Sequence, residues 1–285
     1  MLTASPLRYP GGKSSMADLL RKIRGLNNLG NRAIAEPFAG GAGASLTLLF
    51  EEEAPGIYIN DLDPAIRDFW WCVTKRCDEL AHRIRKARVS IREWHRQRDI
   101  FRSTRRISRV DRGFAAFYLN RCNRSGVIFN GGPIGGIEQN GRWKIDARFN
   151  KEDLVARCRR IADFGDRVIV SGVDGIDLLE SLDCERVFFF IDPPYFEKGQ
   201  SLYLNDADYA YHKRLAQKLR RMKRCAWVLT YDNCSEIDTL YRDWANIKPF
   251  SLRYSASARR KGREILITPK WLRLPETQSS ASITW

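Results

Sequence analysis

The apolar and polar positions along the chain alternate between two periods. Short apolar runs of strand length read at 32–36, 56–60, 167–171, 186–191, 226–231, 247–254 and 264–268. Helical spacing reads after the Pro10-Gly11-Gly12 turn to about Arg24. It reads again after the glycine-rich turn 38–43, where Leu46, Leu49 and Phe50 share one face, and near 209–223 and 234–244. The run Val187-Phe188-Phe189-Phe190-Ile191 has no polar face, which predicts a central strand covered on both sides. Between 64 and 119 the pattern is helical, with arginine-rich faces and interleaved Trp70, Trp71, Trp94 and Phe101. A glycine-rich stretch, 125–141, follows, and its Asn140-Gly141 pair predicts a β-hairpin. The expected fold is α/β: a doubly wound, mostly parallel Rossmann-like sheet with a helical-plus-β-hairpin insertion at about 66–164. The tail after Pro275 is polar and reads as loose.

Charge sharpens this picture. The 285 residues carry a formal net charge of +15. Residues 81–160 hold 21 Lys and Arg against seven acids, a net of +14, so the insertion carries nearly the whole excess. Such a block is the electrostatic footprint of a nucleic-acid partner, its bland alternative being a solvated helical face. The longest strongly apolar run, 187–191, is far shorter than the ~20 residues of a spanning helix, and the first fifteen residues hold no signal core. Neither membrane insertion nor secretion is expected. The seven cysteines form no C-x-x-C and the three histidines no H-x-x-x-H. A disulfide framework and a zinc site are therefore not expected, and a reducing cytoplasm is.

Four segments carry candidate chemistry. Glu36-Pro37-Phe38-Ala39-Gly40-Gly41-Ala42-Gly43 leaves a strand and enters a helix, where glycines let a ligand approach the backbone. It is not a dinucleotide fingerprint, because Leu46 stands at the third glycine position. Asp61, twenty residues after Gly41, can accept from ribose hydroxyls, while Asp63 before Pro64 suits a helix cap. Gly11-Gly12-Lys13-Ser14 lacks the preceding glycine of a phosphate loop, its place being taken by Leu7. Asp192-Pro193-Pro194-Tyr195 follows the central strand directly. The prolines end the strand, the carboxylate stands at its carboxyl end, and the ring gives a flat platform. That set suits a planar base with an exocyclic amino group.

With Arg8-Tyr9-Pro10-Gly11-Gly12-Lys13 and Asn60-Asp61-Leu62-Asp63, these segments resemble the DNA adenine methylase (Dam) family, the alpha-class, D12-class N6-adenine methyltransferases. Phe117-Tyr118-Leu119-Asn120-Arg121 and 258–266 also resemble family segments, and the likeness covers nearly the whole chain. The resemblance implies a site-specific enzyme that uses S-adenosylmethionine, releases S-adenosylhomocysteine, and acts on double-stranded DNA by flipping adenine out. No metal is implied, and a cytoplasmic, bacterial or phage-encoded monomer fits. It implies cofactor contacts at Tyr9, Lys13, Glu36, Phe38, Gly40, Gly43, Asp61 and Asp192, with an acid near the cofactor adenine at Asp174 or Asp177. Asp192, Pro193 and Tyr195 take the catalytic roles. Residues 1–65 and 165–285 become the catalytic part and 66–164 the target-recognition part. There Arg83, Arg85, Arg88, Arg92, Arg96 and Arg102 are phosphate candidates, and Arg121, Asn123 and Arg124 base-edge candidates. The stretch 125–141 departs from the pattern of GATC readers, so the target sequence is left open. N4-cytosine methylation, more often associated with Ser where Asp192 stands, and a non-catalytic DNA-binding relative are the rival readings.

Overall fold

A computed structural model describes residues 4–8, 13–196, 208–252, 264–276 and 283–284. A turn of 3-10 helix, Lys13–Met16, leads into α1 (Ala17–Leu26), β1 (Ala33–Glu36), α2 (Gly43–Phe50) and β2 (Ile57–Asn60). Four helices follow: α3 (Pro64–Lys75), α4 (Cys77–Lys86), α5 (Ile91–Arg102) and α6 (Arg109–Cys122). After a loop come α7 (Lys151–Ala162), β3 (Val168–Ser171), α8 (Gly175–Ser181), β4 (Val187–Ile191), α9 (Tyr209–Arg221), β5 (Ala226–Asp232) and α10 (Ser235–Tyr241). The chain closes with β6 (Ala245–Leu252), β7 (Glu264–Pro269) and the short β8 (Ile283–Thr284).

The strands join in the order β3-β2-β1-β4-β5-β7-β6-β8. The first five are parallel, and β7 runs antiparallel between β5 and β6. This is the expected doubly wound α/β sheet. β8 pairs with β6, so the end of the tail is drawn onto the sheet edge. In β4 the side chains divide by period two. Phe188 and Phe190 enter the core under α1, α2 and α3, while Val187, Phe189 and Ile191 enter the core under α8, α9 and α10. The first of these cores also holds Phe69, Trp70, Phe117, Leu154 and Ile161, so α3, α6 and α7 share it with the sheet. The crossing of α3 and α6 is close: a Cβ on Gly113 would lie 2.7 Å from the Phe69 amide nitrogen. Among the described residues no helix is long and apolar enough to cross a membrane.

Two expectations need correction. Residues 125–141 form no strand; what remains of the hairpin is one bridge between Asn123 and Pro133. The reason is the Gln139 side chain. Its amide nitrogen donates to the Ile134 and Gly136 carbonyls (2.8 and 2.6 Å), and its oxygen accepts from the Ile145 amide (2.8 Å). It takes backbone groups that a ladder would use, and Gln139 itself, at φ 52°, holds the left-handed turn position. The second correction concerns the cysteines. Cys184 and Cys225 are disulfide-bonded, with Cα atoms 4.7 Å apart, while Cys72, Cys77, Cys122, Cys158 and Cys234 are free. No local spacing announces that pair; it arises because β4 and β5 are neighbours in the sheet.

Candidate active site

The order of the strands reverses between β1 and β4, which opens a crevice at their carboxyl ends. The carboxyl ends of β1 to β5 and the start of β7 supply its residues. Glu36 closes β1 and is buried; its Oε1 accepts the hydroxyl and the amide N–H of Ser45 in α2. The loop beyond it turns through Gly40 and Ala42, both at φ 46°. Trp70 supports it from below by donating to the Gly40 carbonyl (2.9 Å). A Cβ on Gly43 would lie 2.2 Å from Ser14 Oγ, so the glycine admits the turn that carries Lys13.

Asp61 follows β2. Its two oxygens accept from the Gly40 amide (3.0 Å) and the Asp63 amide (2.9 Å), which fixes the carboxylate against the glycine loop. Asp63 caps α3 through the Ala65 amide (2.8 Å), as its place before Pro64 predicts. Asn60, buried, binds the three strand ends together. It donates to the Pro37 and Val173 carbonyls and accepts from the Ser171 hydroxyl and the Val173 amide. Beyond β3, Asp174 caps α8 at the Ile176 amide (2.8 Å) and accepts from the Tyr211 hydroxyl (3.3 Å). The Phe38 ring fills the space beside Gly175, where a Cβ would lie 2.4 Å from its tip, and meets Tyr211 edge-on. Asp177 is exposed one turn further along α8. Phe38 and Asp174 are therefore brought together, with Tyr211 as a partner that sequence reasoning missed.

Asp192 follows β4 and is anchored from two elements, β5 and the 3-10 turn. The Thr230 hydroxyl in β5 donates to Oδ1, and Lys13 Nζ stands 3.5 Å from the same oxygen. Lys13 is buried, donates to Glu264 Oε2 (3.0 Å) at the start of β7 and to the Tyr195 hydroxyl, and lies 5.0 Å from the centre of that ring. Pro193 is buried, and the Phe196 amide donates to Asp232 at the end of β5 (3.2 Å). Lys13 thus sits in the Asp192–Tyr195 cluster. Thr230, Glu264 and Asp232 escaped sequence reasoning, because only strand pairing, of β5 with β4 and of β7 with β5, brings them to this edge. Tyr9 lies outside the described residues.

Burial sets the electrostatics. It raises the Asp192 carboxyl above its usual range, against the opposing pull of Lys13 and Thr230. Burial, with the charge of Asp192 adding to it, pushes Glu36 up to about 7; burial and Asp63 push Asp61 up to about 7. A pocket lined by carboxylates repels a pyrophosphate, which seeks amide groups and positive charge. It fits a ligand that presents hydroxyls, an amino group and positive charge, as S-adenosylmethionine does. Among the described residues no group of three or more His, Cys, Asp or Glu could hold a metal ion.

The nucleic-acid candidates divide by exposure. Arg92, Arg96 and Arg124 are exposed, Arg96 paired with Glu93 at 3.2 Å. Arg83 is held by Asp111 and Glu79. Arg121 and Asn123 are buried and do not reach a base edge. Arg121 donates to the Arg148 carbonyl (2.8 Å) and the Pro6 carbonyl (3.5 Å). Asn123 accepts from the Trp94 indole (2.6 Å) and donates to the Val127 carbonyl (2.6 Å). Both are structural ties at the end of α6, which leaves Arg124 as the base-edge candidate of the three.

No curated protein matches this chain. A family model, D12 class N6 adenine-specific DNA methyltransferase, matches residues 9–256, which span the glycine loop, Asp61, the Asp192 motif and the helices between them. With that match across most of its length, the chain belongs to the D12 class of N6-adenine-specific DNA methyltransferases.

Proposed function

We propose that this chain moves a methyl group from S-adenosylmethionine to N6 of an adenine flipped out of double-stranded DNA. The observation that carries this reading is the Asp192 carboxylate at the end of β4, held by Thr230 and Lys13 beside Tyr195. Glu36, Phe38, Gly40, Gly43, Asp61 and Asp174 would hold the cofactor, with Tyr9 added by the family resemblance. When bound, S-adenosylmethionine supplies a sulfonium methyl group, an electrophile matched to an amino nitrogen.

The rest falls to the chain's own groups. The N6 lone pair of adenine is delocalised into the ring, so the amino group is a poor nucleophile. Asp192 and the Pro193 carbonyl would accept its hydrogen bonds, concentrate charge on N6 and aim it. A stacked base cannot reach these oxygens, so it must leave the duplex, and Tyr195 would stack on it. The bond from Lys13 holds the tyrosine hydroxyl in place. Asp192 would accept the departing N6 proton, a role its raised pKa favours. Residues 66–164 would read the target, and 1–65 with 165–285 would carry catalysis.

The test is nucleoside analysis of DNA incubated with the protein and methyl-labelled S-adenosylmethionine. Label in N6-methyladenosine is expected. Label in N4-methylcytosine would replace this reading with the cytosine one.

Cofactor binding should be coupled to protons. In the free protein Glu36 and Asp61, at about 7, favour the protonated form. Their contribution to stability is complete below the ordinary carboxylate range and is lost as pH rises through about 7. A ligand that pairs its ammonium and ribose hydroxyls with the ionised forms must displace those protons. S-adenosylhomocysteine binding should therefore release protons near pH 7 and weaken as pH falls below it. Calorimetry in two buffers of different ionisation heat measures the release; identical heats in both would contradict the assignment.

The two arginines at the end of α6 should separate cleanly. Arg121→Ala strands buried carbonyls and should cost about 1–3 kcal/mol of stability. Arg124→Ala should leave stability within about 0.5 kcal/mol and relax target discrimination by about 1–3 kcal/mol. Thermal unfolding and methylation mapping of both variants check this pair; equal loss of stability in the two would contradict it.

A further inference from the structure

The crevice lies at the carboxyl edge of the sheet, and the opposite edge carries a second basic surface. Because α9 leads into the start of β5, its end lies at that far edge. Because β7 runs antiparallel to β5, the residues after Pro269 lie there too. The turn 270–273 is fixed from both faces of the sheet. The Trp271 indole donates to the Lys223 carbonyl beyond α9 (2.9 Å). The Asn27 side chain, past the end of α1, donates to the Arg273 carbonyl (2.8 Å) and accepts from its amide (2.9 Å). On this braced platform Arg220, Arg221, Lys223, Arg224, Lys270 and Arg273 are all exposed, and none forms an ion pair with another described residue. Lys218, one turn earlier, is by contrast held by Glu180 at 3.0 Å. Trp271 is 45% exposed among these cations.

We infer that this edge is a binding surface for the backbone of a second duplex DNA segment. Cations without carboxylate partners, spread over a rigid platform, suit a regular polyanion, and a half-exposed indole adds a flat face. The exposed acids nearby, Asp243, whose carbonyl accepts from Lys270 (3.0 Å), and Glu276, form no ion pair with these cations, whereas Glu51, Glu52 and Glu53 meet Arg21 and Arg167. The surface stands about 16 Å from Asp192 by the length of β4 alone, so it lies outside the catalytic crevice. It would let the enzyme hold one segment in the crevice while engaging another, and so pass between segments without full release. This goes beyond the methylation reading and depends on it only for the first duplex.

The test counts 14-base-pair duplexes bound per chain by sedimentation at low salt. The protein is compared with a variant carrying Lys223→Gln, Arg224→Gln, Lys270→Gln and Arg273→Gln. Two duplexes per chain are expected for the parent and one for the variant, with single-turnover methyl transfer to long DNA unchanged. In the parent, the second binding step should steepen with salt by roughly 0.9 in log–log slope for each phosphate contact. If the fourfold variant fails to fold, Lys223→Gln with Arg224→Gln should weaken the second step alone. One duplex on the parent, or two on a folded variant, would overturn the inference. Binding of polyglutamate in place of a second duplex would assign the surface to an acidic protein and overturn it equally. A parent that binds no duplex at all would instead count against the methyltransferase reading.

Discussion

Asp192→Asn lowers turnover by roughly 10²–10³-fold, the scale of removing one preorganised electrostatic contact in an active site. The substitution keeps shape and one acceptor oxygen but removes the charge. The amide still occupies the end of β4, and its oxygen can go on accepting from Thr230, so the fold is retained. What is lost is the charge that draws the amino hydrogens and the acceptor for the N6 proton. Cofactor affinity should stay within a few-fold, because Asp61 and Asp174 are untouched and Glu36, raised mainly by burial, loses only the smaller push of the Asp192 charge. The parent's pH profile gives a second signature. Burial holds the Asp192 carboxyl above its usual range, so turnover should fall on the acid side at a higher pH than an ordinary carboxylate would give. That limb should vanish from the residual activity of the variant. Single-turnover rates between pH 5 and 9, with cofactor binding followed in parallel, measure both; unchanged turnover would remove Asp192 from the mechanism.

Lys13→Met has the second largest expected effect, and it acts on stability and turnover together. Lys13 is buried against Glu264 and Asp192, so its removal takes away the cation that the two carboxylates share. Breaking a buried pair by removing one member costs about 3–5 kcal/mol. Lys13 is also the group that most opposes the effect of burial on Asp192, so the acid limb should move to higher pH. With the Tyr195 hydroxyl released as well, misplacement of the base adds a turnover loss of roughly 10²-fold. Adding Glu264→Gln separates the two effects. The double variant should regain most of the lost stability, since both members of the Lys13–Glu264 pair are then neutral, but little of the turnover. Full recovery of turnover in the double variant would show Lys13 to be merely structural.

Much of this was legible along the chain because the informative features are local. The β4 run has no polar face, and that alone predicts burial on both sides. Asp63 before Pro64 announces the α3 cap. Of the crevice residues read from sequence, Glu36, Asp61 and Asp192 directly end or follow a strand, so placing the strands placed them; Asp174, three residues beyond β3, came with Asp177 from the family resemblance. The features that escaped are set by register or by side chains acting at a distance. Thr230 and Glu264 belong to apolar strand patterns, and only strand pairing brings them to Asp192, the parallel β4–β5 register for Thr230 and the antiparallel β5–β7 register for Glu264. Arg121 and Asn123 look like reading groups until α6 is seen to be buried along most of its length. The hairpin failed because Gln139 competes for the backbone, which no turn dipeptide reveals. The missed helix α7 did carry a signal. Asn150 accepts from the Asp153 amide as its cap, and Leu154, Cys158 and Ile161 follow at helical spacing on its buried face.

The most direct test of the central claim is base-resolved mapping of N6-methyladenine. Unmethylated genomic DNA is incubated with S-adenosylmethionine and either the protein or its Asp192→Asn variant. Adenine methylated within one sequence motif is expected from the parent, and almost none from the variant in the same time. Unmodified adenine in the parent reaction, with the cofactor bound, would contradict the claim.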